Sequence, residues 1–119
     1  MRTAKKELSD AALQMIADRF KLLAEATRLK ILHALWQEEK TVSEIIAETG
    51  ALQANVSKHL GLLQQAGLVS RRKDGANVYY RISDPTVFDL CEAVCESLHD
   101  RLVAQMGHLA PVIPVRKRA

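Results

Sequence analysis

Cys91 and Cys95 stand four residues apart, and His99 follows at the same interval. On a helix that spacing puts the three on one face, and two thiolates one turn apart suit a soft ion such as As(III), Cd or Zn. Zinc takes four ligands and arsenite is trigonal, so the pair needs a third ligand or a second copy of the same helix. Two other readings stand beside this one. Val87, Cys91, Val94, Cys95, Leu98 and Leu102 form one apolar stripe, in which a thiol serves as a small hydrophobe, and a thiol pair can also sense redox state. Asp89, Glu92 and Glu96 around the pair oppose thiolate formation unless a cation is present.

A second set runs from Gln53 to His59. Gln53 and Asn55 can both donate to and accept from adenine edges, Ser57 can reach bases or phosphates, and Lys58 phosphates or guanine. Ala54 and Gly61 are small and let a helix approach a groove closely. His59 lies nearer the apolar side, as either a structural histidine or a phosphate contact. A third set, Arg71, Arg72 and Lys73, precedes Asp74-Gly75. Such a basic run can grip a nucleic-acid backbone or minor groove, or discourage strand pairing at a solvated edge.

These sets need elements to hold them. Ser9 caps a first helix to about Ala24, striped by Leu13, Ile16, Phe20 and Leu23. A second helix spans about Ala26 to Gln37. Thr41 and Glu44 form a capping box that opens a short third helix, stopped by Gly50. Val56, Leu60 and Leu63 stripe a fourth, ended by Gly67, whose opposite face carries Ala54, Lys58, Gly61 and Gln65. The pattern then alternates: 68–73 and 77–82 read as strands joined at Asp74-Gly75. Asp84-Pro85 starts a last helix that runs to Met106 or Gly107. The fold class is mainly α with a two-stranded β-hairpin wing, in the order α-α-α-α-β-β-α. Residues 1–8 are expected to be flexible, 9–107 to form the domain, and 108–119 to be a flexible basic tail.

Composition narrows the function classes. The chain has 119 residues, 48% hydrophobic and 26% charged, which suits one globular domain. Two cysteines exclude a disulfide framework and suit a reducing compartment. The first ten residues have no apolar run behind Lys5 and Lys6, and no segment has the length to span a bilayer, so a cytoplasmic protein with no membrane partner is expected. The net charge of +3 decides little until it is divided. From 53 to 82 five basic residues face one acid, a local +4. From 84 to 100 there are five acids and no Lys or Arg, a local −5. A surface that meets phosphate calls for such segregation.

Three segments carry a family resemblance: Phe20–Leu32 (FKLLAEATRLKIL), Asn55–Val69 (NVSKHLGLLQQAGLV) and Ser70–Ile82 (SRRKDGANVYYRI). In this order and spacing the chain resembles the ArsR/SmtB family of bacterial winged helix-turn-helix repressors. The resemblance implies a homodimer, binding to operator DNA, and release when an effector binds. The first and last helices, whose stripes are left over, are expected to form the dimer interface. The chain departs from the family at known effector positions. The third helix has no Cys-x-Cys, the last helix has Ser97 and Asp100 where some members have histidine or glutamate, and the second helix has His33 in place of a cysteine. Leu52 stands where the family has a helix-capping residue. Cys91 and Cys95 are thus the effector candidates, with a repressor controlled by redox state, a partner or its abundance as the alternative. An enzyme is not expected, because no nucleophile–base–acid set or phosphate-cradling loop is visible. A thiol-based metal-trafficking module and a winged helix serving only protein contacts complete the field.

Overall fold

The structure, a computed structural model, describes residues 7–106. The expected basic tail at 108–119, residues 1–6 and the end of the last helix at Gly107 lie outside the described residues. The elements are α1 (Asp10–Leu23), α2 (Ala26–Ala34), β1 (Lys40–Thr41), α3 (Val42–Thr49), α4 (Gln53–Gln65), β2 (Val69–Asp74), β3 (Asn77–Ile82) and α5 (Thr86–Met106).

Side chains and glycines set the boundaries. Ser9 Oγ accepts from the Ala12 amide at the start of α1. The α3 capping box forms in full: the Glu44 amide donates to Thr41 Oγ1 at 3.2 Å and the Thr41 amide to Glu44 Oε1 at 2.8 Å. Gly50, at φ +73°, ends α3 and makes the turn into α4, a conformation that costs a residue with a Cβ about 1–2 kcal/mol. Asp84 Oδ1 accepts from both the amide and the hydroxyl of Thr86 and so starts α5.

Two features differ from the sequence reading. Helix α2 stops at Ala34, three residues short of Gln37. The chain bends there because Lys40 and Thr41 extend to pair with Tyr80 and Tyr79, which gives the hairpin a third strand in the antiparallel order β1-β3-β2. The β2–β3 register runs from Val69↔Ile82 to Asp74↔Asn77.

The core sits between α2, α3, α4 and the base of the sheet: Ile31, Leu32, Leu35, Ile45, Val56, Leu60, Leu63, Leu68, Val69 and Val87. Burying each such side chain stabilises the fold by about 1.5–3 kcal/mol. Helix α1 contributes no fully buried residue and α5 only Val87. Phe20, Leu13 and Ile16 of α1, with Val94 and Leu98 of α5, remain exposed. Trp36 meets Phe88 edge-on at 4.6 Å and ties the end of α2 to α5.

Candidate nucleic-acid interface

Helix α4 is anchored by Val56, His59, Leu60 and Leu63. Gln53, Ala54, Asn55, Ser57, Lys58 and Gly61 are all exposed. One face is therefore a set of donors and acceptors on a rigid helix, with small residues where a groove wall would come close. No side chain caps this helix, and Leu52 at the N-cap is 72% exposed. Its first-turn amides thus have no side-chain partner at the cap.

The hairpin sorts its basic residues by strand alternation. Arg71 and Lys73 share a face with Val69, Tyr80 and Ile82, the side that packs on the core and α4. Arg72 lies on the other face, over the Tyr79 ring at 4.7 Å, paired through Nε and Nη2 with the Glu39 carboxylate and through Nη1 with Asp74. Hydrogen bonding to Arg72 lowers the Glu39 pKa, and the same bond raises that of Arg72. Arg72 is thus held by the protein, unlike its two neighbours, and it staples the wing to the segment before β1.

His59, a candidate contact from sequence, is only 9% exposed. Its Nδ1 lies 3.2 Å from Arg28 Nη1 and its Nε2 3.9 Å from Glu25 Oε1. The structure places it behind α4, against α2, and not on the outward face. Arg28, Glu25 and Glu39 were missed from sequence, since their partners are 31 to 34 residues away and no local pattern announces them.

Cys91 and Cys95, neither in a disulfide, are both half-buried on α5. Cys91 packs against the core, and burial, then the neighbouring Cys95, pushes its thiol pKa up. The donor set suits a soft ion, but among the described residues no three His, Cys, Asp or Glu side chains gather to hold one. Within one chain the pair supplies two ligands.

Residues 25–71, from the start of α2 into β2, match the family of bacterial regulatory proteins known as the arsR family. The chain is 33% identical over 112 residues to the HTH-type transcriptional regulator KmtR of Mycobacterium tuberculosis, covering 94% of this chain and 80% of that one. The chain belongs to the ArsR family. A cadmium resistance transcriptional regulatory protein, a CadC homologue from Staphylococcus aureus, is 37% identical over 105 residues, or 87% of this chain and 85% of that protein. The fold matches the solution structure of a homodimeric winged helix-turn-helix DNA-binding domain from Mycobacterium bovis, with a TM-score of 0.71 and 34% identity over 86% of this chain and 97% of the other. Members of the ArsR family are transcriptional regulators, which are not enzymes. Among the described residues no helix is long and apolar enough to cross a membrane.

Proposed function

We propose that this ArsR-family chain is a homodimeric repressor that binds operator DNA through α4 and the wing and is released by an effector. The observation that carries the reading is the outward face of α4, where Gln53, Asn55, Ser57 and Lys58 are exposed around Ala54 and Gly61, with Arg71 and Lys73 on the adjoining side of the hairpin. Amides at this position can read base edges in a major groove, and the cations neutralise phosphates. A dimer places two such helices on half-sites about 34–36 Å apart or a multiple of that. The apolar faces left on α1 and α5 supply the dimer interface, in keeping with the homodimeric relative.

For the effector the reading is a thiophilic metal or metalloid held by Cys91 and Cys95, such as As(III), Cd or Zn. The relative named for cadmium resistance supports a metal in general. The bound ion would draw the two thiolates together, and further ligands would come from the partner subunit or solvent. Cys91 must lose its proton to bind, so metal affinity rises with pH, and burial, which raises the thiol pKa, carries that rise to higher pH. The test is duplex binding by the reduced protein with added arsenite, CdCl₂ or ZnCl₂, repeated on Cys91→Ser/Cys95→Ser. One ion should release wild type but not the double variant, which still binds DNA. Release of both proteins alike would discard the cysteine site.

A further inference from the structure

His59 is the one polar side chain in the buried set among the described residues, and its surroundings define which ring nitrogen accepts. The Arg28 guanidinium has only donors. With Nη1 at 3.2 Å, His59 Nδ1 must therefore accept, and the ring proton sits on Nε2, facing Glu25 Oε1 at 3.9 Å. The same Glu25 oxygen caps α2 by accepting from the Arg28 amide at 2.8 Å. Arg28 also donates through Nε to the Leu22 carbonyl at 2.6 Å and through Nη2 to that of Lys21 at 3.5 Å. Those carbonyls belong to the last turn of α1, where helical donors run short; that of Lys21 also accepts from the Ala24 amide at 3.2 Å. One guanidinium thus joins the end of α1, the start of α2 and the middle of α4.

Resting on the DNA-binding reading, we infer that Arg28 and His59 position the DNA-reading helix without touching DNA. Asn55 lies one turn before His59, at the exposed edge next to its buried side, and Lys58 is its chain neighbour, so the Arg28 bond sets how α4 presents them. Hydrogen bonds to bases weaken steeply off geometry, so a small rotation of α4 lowers affinity. The same guanidinium, through its bonds to the Leu22 and Lys21 carbonyls, links α4 to α1, a helix that carries none of the fully buried core. A shift of α1 thereby reaches α4 directly.

The test uses the full chain and a duplex that wild type selects from a random-sequence pool. His59→Ala should weaken binding by about tenfold or more, the effect of losing a hydrogen bond to a charged group. The slope of affinity against salt should stay as in wild type. His59→Asn keeps an acceptor where Nδ1 stood and should recover binding to within about threefold, whereas His59→Gln should not. Arg28→Lys should resemble His59→Ala, because one ammonium cannot serve the same three acceptors. Nitrogen-15 NMR of wild type should show His59 Nδ1 as the unprotonated, accepting ring nitrogen. Three results would overturn the inference: unchanged affinity in His59→Ala, a proton on Nδ1, or a salt slope reduced by about 0.9 per subunit without rescue by Asn, which marks a direct phosphate contact. Failure of wild type to bind any duplex is a different outcome, since it removes the DNA reading itself.

Discussion

The structure divides the basic residues of the proposed DNA-facing region into two groups, and the division has a measurable consequence. Lys58, Arg71 and Lys73 are exposed, the latter two on the core side of the hairpin, whereas Arg72 and Arg81 lie on the opposite face, Arg72 held there by Glu39, Asp74 and the Tyr79 ring. A dimer then offers six phosphate-directed cations. At about 0.9 released counterions per phosphate, log affinity should fall against log salt with a slope near −5. Raising salt from about 50 to 200 mM should cost on the order of a thousandfold in affinity. Lys58→Ala removes one cation from each subunit, so the slope should become shallower by about 2. Arg72→Ala should leave the slope nearly unchanged, although it frees the wing from Glu39. Fluorescence anisotropy of a labelled duplex, titrated at several salt concentrations, measures all three slopes. The reasoning fails if Arg72→Ala flattens the slope as much as Lys58→Ala, or if Lys58→Ala leaves it unchanged.

Two further predictions concern assembly and acid stability. Phe20 of α1 and Leu98 of α5 are exposed and apolar, so Phe20→Glu with Leu98→Glu should give a folded monomer by sedimentation equilibrium and circular dichroism; a persistent dimer would move the interface elsewhere. The Asp84 pKa is lowered, chiefly by its hydrogen bonds from the Thr86 hydroxyl and amide, with a smaller contribution from Arg19 at 3.4 Å. A carboxyl with a depressed folded pKa stabilises the fold above its unfolded pKa of about 3.9, and that contribution fades as pH falls through the folded value. Asp84→Asn should therefore be less stable than wild type in urea at pH 7, with the gap closing below about pH 4. A gap independent of pH would show that the carboxylate charge plays no part.

Local signals made much of this fold readable in advance. Ser9, the Thr41/Glu44 box, Gly50 and Asp84 each act within a few residues, and each forms the cap or turn its spacing suggests. The Val56/Leu60/Leu63 stripe likewise gave the buried face of α4, and so its outward face, from periodicity alone. What escaped was non-local. Strand β1 is two residues long, too short for any alternation, and exists because Tyr79 and Tyr80 lie opposite it. Arg72 looked like its neighbours in a basic run until the fold brought Glu39 to it across 33 residues. His59 divided evenly between core and groove until Arg28 fixed it behind α4. For Cys91 and Cys95 spacing and burial agree that the thiols share a half-buried face of α5, which suits packing as well as the proposed ion binding.

The central claim is that the outward face of α4 reads duplex DNA, and selection from a random-sequence pool tests it most directly. Wild type should enrich a palindrome with half-sites about one helical turn apart, or a multiple. Asn55→Ala and Gln53→Ala should each relax the base preference at defined positions of the half-site while leaving the salt slope unchanged. Enrichment of no sequence by wild type, or identical preferences in wild type and both variants, would contradict the account.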